Sequence, residues 1–445
     1  MGDARTAALH ALFRVAHQSA FAAAALQAEI RREGLDRRDA ALATEIVYGA
    51  LRVLPSLDDA IAPHLRSEIG QVDAFALAAL RTGAYQLRHL RAPPFAAVDH
   101  AVAAVKRKRS KALAGFVNAV LRKVGKHRPE HPMSPTRIEL PEWLSEELRA
   151  SLGEDRARIF VEARPLPPPI GLRCRKDRSA ILERLAEALP DAEFVGGAAS
   201  PVAIRVRRAG DPSELPGFEV GDFVVQEQGA QLVGLSLGAV PGERVADACA
   251  GRGGKTALLA DAVKSKGDGP DGAVVALELH ESKLERLDTM LRRLGHDLVE
   301  TRAADLTVGL AGLEDRFDRV LVDAPCSGVG TLHRRPELLL RTSEGTVQKS
   351  AALQKKILAT AAGLVRPGGV LVYAVCSPLR AEGEEVVDAF GAAHRDFRLE
   401  PQPVGDIAPD PDGGLRIGPW IDECDGYQAF RFRRVTHRPL AHTVG

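Results

Sequence analysis

Two cysteines occupy positions where a thiol could do chemistry. Cys326 lies in the segment Asp323-Ala-Pro-Cys-Ser-Gly328 and Cys376 in the segment Tyr373-Ala-Val-Cys-Ser377, and each segment follows a predicted buried strand. The carboxyl ends of parallel strands meet at one edge of a sheet, where ligands bind. A buried structural cysteine is the usual alternative for either residue alone. Two at one edge favour a reactive pair, because a thiolate is a strong nucleophile. These positions alone do not say which thiol attacks.

A glycine-rich segment, Asp247-Ala-Cys-Ala-Gly-Arg-Gly-Gly-Lys-Thr256, follows another predicted strand and opens a helix. Glycines let a ligand approach the backbone, and a helix N-terminus favours a negative group. A phosphate-binding P-loop ending at Lys255-Thr256 would need glycine at position 249, which is Cys249, so that motif is excluded. A G-x-G-x-x-G dinucleotide motif is also absent from the segment.

Three carboxylates are predicted at the same edge of the sheet. Glu278 ends the second strand, where a carboxylate can accept hydrogen bonds from ribose hydroxyls; its alternative is an ordinary residue at a helix start. Asp305 follows the third strand, where it could accept from an adenine amino group, and Asp323 ends the fourth. Together they predict a nucleoside site beyond the strand ends.

The elements that must position these residues follow from hydrophobic spacing. Residues 4–126 are predicted to form a helical bundle, with Asp36 and Asp39 at the start of its second helix. A proline-rich linker at 127–135 and a helix near 141–163 follow, then a small α+β module over 170–208. We therefore predict three domains, at residues 1–127, 138–222 and 223–436.

From Gly242 onward, predicted strands alternate with helices, which indicates a mostly parallel sheet covered on both faces. The predicted strands are Val245–Cys249, Ala273–Leu279, Val299–Ala303, Arg319–Ala324, Gly369–Val375, Phe397–Glu400 and Tyr427–Arg433. Predicted helices between them include Glu281–Leu294 and Ala351–Leu364.

Composition excludes several classes of protein. Of 445 residues, 45% are hydrophobic and 27% charged, as in globular chains, and no run of 18 apolar residues predicts a membrane span. The five cysteines are scattered, so we expect no metal site, no disulfide framework and a cytoplasmic location.

The near-neutral net charge of +1 hides a polarity between the two parts of the chain. Residues 1–130 carry 20 basic and 12 acidic side chains, or +8, whereas the remainder carries −7. A basic module suggests contact with a polyanion. A dense basic run is the candidate contact with RNA phosphates, and a solvated turn is its alternative; the run comprises Lys106, Arg107, Lys108, Arg109 and Lys111.

The segment 242–434 resembles the RNA 5-methylcytosine methyltransferases of the Sun/Nop family. Their D-x-C-A-A-P-G-G-K-T motif matches Asp247 to Thr256 except at Gly251 and Arg252, and their D-A-P-C-S-G motif matches Asp323 to Gly328 in full. Four further motifs match in part: Y-x-T-C-S at Tyr373–Ser377, R-x-x-P-[DE] at Arg334–Glu337, E-N-E at Glu382–Glu384 and D-G-F-F at Asp425–Gln428.

The first part of the chain resembles the NusB-like RNA-binding domain. The matching segments are Leu80-Arg-Thr-Gly-Ala-Tyr-Gln-Leu87, Pro94-Phe-Ala-Ala-Val98 and Gly115-Phe-Val-Asn-Ala-Val-Leu-Arg122. This order of domains occurs in the branch of the family whose substrate is small-subunit (16S) ribosomal RNA. The resemblance therefore implies a NusB-like bundle, a small α+β module and a Rossmann-like methyltransferase domain that uses S-adenosyl-L-methionine.

The resemblance also implies residue roles. Cys376 would be the nucleophile that adds to cytosine C6, Cys326 would assist product release, and Asp323 would contact the base or the cofactor. Lys255 would be an electrostatic partner in the pocket, with a solvent-exposed first-turn lysine as the alternative. The implied cofactor-binding residues are Cys249, Ala250, Gly251, Arg252, Gly253, Gly254, Lys255, Glu278, Asp305 and Asp323. Gly251-Arg252 in place of Ala-Pro would weaken preorganisation of the loop without abolishing function.

Two other functions stay open. The same chemistry could act on transfer RNA, although the NusB-like part argues against it. A catalytically silent RNA-binding assembly factor would follow if the altered Gly251-Arg252 loop held no cofactor, although the two intact cysteines weigh against that reading. We expect a monomer whose partner is ribosomal RNA, with no membrane and no metal.

Overall fold

The computed structural model describes residues 3–436 except 92, 134, 163–167 and 311. The chain divides into two compact units, the first comprising residues 1–146, 157–168 and 332–341 and the second comprising 147–156, 169–331 and 342–445. The three-part division proposed from the sequence stays a prediction.

The first unit is built from helices, as predicted. They are α1 (Ala4–His17), α2 (Ala22–Glu33), α3 (Arg37–Arg52), α4 (Leu54–Ile61), α5 (Ala74–His89), α6 (Pro94–Lys108) and α7 (Lys111–Lys126). Asp3, Asp36, Asp73 and Ser110 each accept backbone N–H groups at a helix start, which stabilises the helix end. The predicted capping by Asp36 is thus found, but on the third helix, because α2 intervenes.

A single close contact shows why this bundle needs a glycine in α3. Tyr85 is fully buried, and its hydroxyl donates to Glu45 at 2.6 Å. A Cβ atom at Gly49 would lie 2.0 Å from that hydroxyl oxygen. The helix therefore leaves out a side chain where the tyrosine ring crosses it.

The segment Leu332–Arg341 also belongs to the first unit, although it lies far along the chain. Its Glu337 is buried and accepts the Ala22 N–H at 3.2 Å. The residue before α2 is Phe21, which supplies no side-chain cap. Glu337 therefore satisfies a helix donor that the local sequence leaves open.

The second unit begins with a small antiparallel sheet. After α8 (Glu142–Val161), which is broken at Gly153, come β1 (Ile170–Cys174), α9 (Arg178–Ala188), β2 (Glu193–Gly196), β3 (Ala203–Arg207), β4 (Phe223–Val225) and α10 (Gln228–Ser236). The strand order is β2-β3-β1-β4. This sheet is the α+β module that the sequence predicts.

The larger sheet carries the strand ends that matter for function. Its elements are β5 (Arg244–Asp247), α11 (Gly254–Val263), β6 (Ala273–Glu278), α12 (Glu281–Leu294), β7 (Val299–Ala303), β8 (Phe317–Asp323), α13 (Glu344–Ala362), β9 (Val365–Val375), α14 (Glu384–Ala393), β10 (Phe397–Leu399), β11 (Leu415–Ile417) and β12 (Tyr427–Arg434). The order is β10-β12-β9-β8-β5-β6-β7, with β11 beside β12. Strands β5 to β9 pair in parallel, whereas β10, β11 and β12 pair antiparallel.

Side chains of the central strands alternate between the two faces of this sheet, and helices cover both faces. In β8, Val320 and Val322 join the core cluster that contains residues of α13 and α14, whereas Leu321 joins the one that contains residues of α10 and α11. A period of two sends neighbouring side chains to opposite faces. The predicted doubly covered sheet is confirmed.

Among the residues described, no single helix is long and apolar enough to cross a membrane. One bent pair, α3 with the stretch Leu54–His64, passes that test by length and composition only. Much of α3 is buried in the bundle core.

Candidate active site

The structure brings the two predicted thiols together. The Sγ atoms of Cys326 and Cys376 are 3.3 Å apart, a hydrogen-bonding distance in which either can be the donor. All five cysteines of the chain are free. Two thiols in contact without a disulfide form a pair that can exchange a proton.

The sheet explains why these cysteines meet. Strands β8 and β9 are parallel neighbours with Asp323 opposite Ala374, so the two loops leave the same edge side by side. The Gly330 N–H then donates to the Cys376 carbonyl at 3.0 Å, and the Gly426 N–H donates to the Gly330 carbonyl at 2.7 Å. A Cβ atom at Gly330 would lie 1.9 Å from the Gly426 oxygen. Backbone contacts that exclude a side chain therefore fix the position of Cys376.

Lys255 lies inside the site, which excludes the solvent-exposed alternative. Its side chain is 11% exposed, and its Nζ contacts Asp323 Oδ2 at 2.7 Å and lies 5.8 Å from the centre of the Tyr427 ring. Burial disfavours the ammonium, but the charges of Asp323 and of a Cys376 thiolate outweigh it and raise the pKa of Lys255. The site thus holds a buried cation whose charge interacts favourably with negative charge at Asp323 and at Cys376.

The charges around Cys326 are negative, in contrast to the cation in the site. The hydrogen bond to Cys376, burial, and the negative charges of Cys376 and Glu382 all raise the pKa of the Cys326 thiol well above its ordinary value. Glu382 accepts the N–H of the next residue, Ser327, at 2.7 Å and is itself buried. The two neighbouring thiols therefore differ in the charge that stands beside them.

The glycine-rich segment forms a loop whose backbone is held by the second strand. Gly251 and Gly253 have φ values of +59° and +84°, a region that favours glycine. The Gly251 N–H donates to Glu278 Oε2 at 3.0 Å, while the other Glu278 oxygen accepts from His280 N and Lys283 Nζ. Glycine at 251, where the resembling family has alanine, suits this left-handed backbone.

Two other titratable groups near the loop, Asp247 and Cys249, have structural roles in their present contacts. Asp247 is buried and accepts from the Thr256 hydroxyl at 2.7 Å, and burial raises its pKa to about 6. Burial and the negative charges of Asp247, Asp323 and Glu278 raise the pKa of the Cys249 thiol. Cys249 is therefore held as a neutral thiol beside the loop.

Asp305 and the basic run are the residues predicted to bind the cofactor and RNA, respectively, outside this cluster. Asp305 lies two residues beyond β7 and accepts from the backbone and hydroxyl of Thr307, which closes a local turn. In the helical unit, the basic run spans the end of α6 and the start of α7, and Arg109 pairs with Asp73 at 3.1 Å. Its four other cations are exposed, with no ion pair recorded in the described chain; they are Lys106, Arg107, Lys108 and Lys111. The cofactor and RNA roles of these residues stay predictions.

Sequence reasoning assigned no role to two residues that the structure places in the site. Glu382 was noted only as part of a motif, yet it is fully buried beside the Cys326 loop. Tyr427 carries the ring near Lys255, and its Cα is paired with Ile417 in the antiparallel ladder. The acidic and D-G motifs were the available signals, but a motif does not state which side chain turns inward.

Comparisons with known protein families define the class of the chain. The family model described as 16S rRNA methyltransferase RsmB/F matches residues 235–432, and the NusB family model matches residues 2–126. The fold and site described above therefore belong to a methyltransferase that carries a NusB-family domain.

The similarity extends over nearly the whole chain. It is 31% identical to the probable ribosomal RNA small subunit methyltransferase B of Bacillus subtilis strain 168, covering 95% of this chain and 97% of that protein. It is 34% identical to ribosomal RNA small subunit methyltransferase B of Xanthomonas campestris, covering 88% of each chain. The chain thus belongs to the RsmB/F family of 16S rRNA methyltransferases.

A solved structure agrees with the fold. The crystal structure of PH0851 superposes with a TM-score of 0.82 at 23% identity, covering 96% of this chain and 98% of that one. At this identity the likeness concerns the architecture. Together with the two family models, it confirms the predicted fold class of a helical NusB-like part followed by a methyltransferase sheet.

Proposed function

We propose that the protein transfers a methyl group from S-adenosyl-L-methionine to C5 of a cytosine in 16S ribosomal RNA, through a covalent bond between Cys376 and cytosine C6. The observation that carries this proposal is the thiol pair at the sheet edge, with Sγ atoms 3.3 Å apart. Family membership supports the ribosomal substrate. The choice of C5 and the covalent route are chemical inferences from the pair.

The chemistry of the base explains the need for a thiolate. Cytosine C5 is a weak nucleophile, and addition of a thiolate at C6 turns it into an enamine-like carbon. Bound S-adenosyl-L-methionine supplies an electrophilic methyl group. After C5 has taken the methyl group, its proton passes to a base, the C6–sulfur bond breaks and the electron pair returns to the Cys376 sulfur.

The residues around Cys376 suit these steps. The Lys255 ammonium, held by Asp323 at 2.7 Å, stabilises negative charge that develops on the sulfur or on the base. Asp323 accepts hydrogen bonds from the base or from the cofactor. Cys326 lies against the same sulfur and assists release of the product. The target cytosine must leave its stack to reach these groups.

The loop after β5 fits the cofactor. Glu278 is 6% exposed, and its two oxygens hold three donors, one of which comes from the partly exposed Lys283. A carboxylate has about four acceptor positions, so Glu278 can take a ribose hydroxyl, and a second if Lys283 moves away. Gly251 leaves open space on the loop, since a Cβ atom there would meet only the Cys249 carbonyl at 3.9 Å. We propose the remaining loop residues, from Cys249 to Lys255, as its backbone cradle.

The first test is transfer of labelled methyl from S-adenosyl-L-methionine to unmodified 16S ribosomal RNA, followed by nucleoside analysis. We expect label in 5-methylcytosine. Label on transfer RNA alone would replace the substrate, and label in another nucleoside would overturn the C5 assignment. Cofactor binding without transfer to free RNA calls for the same assay on partly assembled small subunits. Loss of both binding and transfer would instead favour a silent binding factor.

A second prediction concerns Glu278. The Glu278→Gln variant should bind S-adenosylhomocysteine about tenfold or more weakly, because an amide loses one charged acceptor for the ribose. Titration calorimetry measures the change. Glu281→Gln, an exposed carboxylate at the start of α12, is the matched control and should bind normally. Equal affinities for both variants would remove Glu278 from the cofactor site.

A further inference from the structure

The proposed chemistry requires two touching cysteines to do different things, and the structure contains a candidate for what separates them. Glu382 lies in the loop between β9 and α14 and is 0% exposed. Its Oε1 accepts the Ser327 N–H at 2.7 Å and the Gln354 side-chain amide at 3.2 Å, and its Oε2 accepts the Ser327 hydroxyl. Glu382 therefore accepts two hydrogen bonds from Ser327, the residue that follows Cys326.

The charge of this carboxylate has no nearby counter-ion. In the described part of the chain, no lysine, arginine or histidine forms an ion pair with Glu382; its partners are the neutral groups of Ser327 and Gln354. Neutral donors satisfy the oxygens without cancelling the charge. An uncompensated buried charge acts strongly on its neighbours, because little water screens it.

The other titratable groups near Cys326 do not supply a cation. Cys376 contributes a second potential anion at 3.3 Å. Tyr373 on β9 is buried, and its hydroxyl donates to the Glu382 carbonyl at 2.6 Å. Lys255, the cation of the site, is paired with Asp323 at 2.7 Å. Glu382 is thus the carboxylate that most directly biases Cys326.

We propose that Glu382 is a positioning residue that assigns the two thiols their roles. It holds the Cys326–Ser327 segment and keeps Cys326 protonated, so that Cys326 donates its hydrogen to the Cys376 sulfur. The Lys255 ammonium favours the anion on Cys376, and the two charges together select Cys376 as the nucleophile. The division of roles rests on the proposed function, whereas the protonation of Cys326 does not.

The charge on Cys326 can be measured without RNA or cofactor. In a Cys376→Ala background, alkylation of Cys326 by iodoacetamide is followed from about pH 7 up to about pH 11, since only the thiolate reacts. Tryptic cleavage after Arg319 isolates Cys326 from the three other cysteines of this variant for mass spectrometry. The midpoint of the rate profile reports the ionisation of this one thiol.

Adding Glu382→Gln should lower that midpoint by about one pH unit, which is about tenfold in rate below the midpoint. Glutamine still accepts the Ser327 N–H, so the loop keeps its main contact. Glu385→Gln removes an exposed carboxylate from the first turn of α14 and should leave the midpoint unchanged. Glu382→Asp, which restores a charge, should return it toward the parent value.

An unchanged midpoint in Glu382→Gln, or an equal shift in Glu385→Gln, would overturn the proposal. Glu382→Met removes the charge without adding an amide and decides the matter should the glutamine variant fail to fold, as judged by circular dichroism. Methyl transfer is measured separately on single variants with both cysteines intact. Failure of transfer in the parent protein would refute the proposed function and leave the alkylation result standing.

Discussion

The Cys376→Ala variant should transfer no measurable methyl group, a loss of about a thousandfold or more, as expected when a covalent nucleophile is removed. The reason is that, in the proposed mechanism, C5 of cytosine gains nucleophilicity through addition of Cys376 at C6, and the charge of Lys255 acts on Cys376. Cys326 cannot replace it, because its surroundings disfavour the thiolate. Radiolabel transfer to 16S ribosomal RNA measures the change.

Binding of S-adenosylhomocysteine should be unaffected in the same variant, because the loop residues around Gly251 and Glu278 keep their hydrogen bond. Cys174→Ala is a matched control, since Cys174 is a buried thiol in β1 of the small sheet; it should retain transfer. Normal methylation by Cys376→Ala would show that the nucleophile is another group. Loss of cofactor binding would show that the variant damages the fold instead.

The strands of the larger sheet could be predicted because turn-forming or polar residues bound them in the sequence. Val299–Ala303 and the helix Glu281–Leu294 match the structure at both ends, and β5, β6 and β8 differ by one or two residues. β11 was missed, since its three residues, Leu415–Ile417, give no readable alternation. Helix α13 begins at Glu344 rather than Ala351, and the Ser343–Thr346 capping box was the signal that marks its start.

The candidate site was predictable in part for a topological reason. Parallel neighbours must bring their carboxyl ends together, so the meeting of Cys326 with Cys376 followed from strand assignment. Sequence could not decide between a buried and a solvent-exposed Lys255, because a first-turn lysine can point either way. The structure decides it through the contact with Asp323. Burial of the side chain, rather than its position in the chain, makes it part of the site.

Long-range contacts were beyond the reach of local patterns. Glu337 was noted only as part of the R-x-x-P-[DE] motif, yet it accepts the N–H of Ala22 at the N-terminus of α2, 315 residues away along the chain. Glu382 likewise turns inward to Ser327, 55 residues away. A carboxylate in a loop normally faces water, so no spacing rule predicts that these two are buried.

The Cys326→Ala variant should accumulate a covalent protein–RNA adduct. In the proposed mechanism, Cys376 remains bonded to C6 after methyl transfer until that bond breaks, and Cys326 contacts the sulfur that must leave, at 3.3 Å. Loss of a group that assists proton transfer slows such a step by about a hundredfold or more. The adduct should appear as a slowly migrating band on a denaturing gel, only when both RNA and S-adenosyl-L-methionine are present.

The double variant Cys326→Ala/Cys376→Ala should show no such band, because the proposed bond to RNA is made by Cys376. A band that persists in the double variant would point to a different nucleophile. Rapid turnover by Cys326→Ala without an adduct would show that product release does not need this thiol. The two single variants therefore fail at opposite ends of one reaction, before the carbon–sulfur bond forms and before it breaks. Opposite failures from thiols 3.3 Å apart cannot arise from a shared structural defect, so the pair of results separates chemistry from folding.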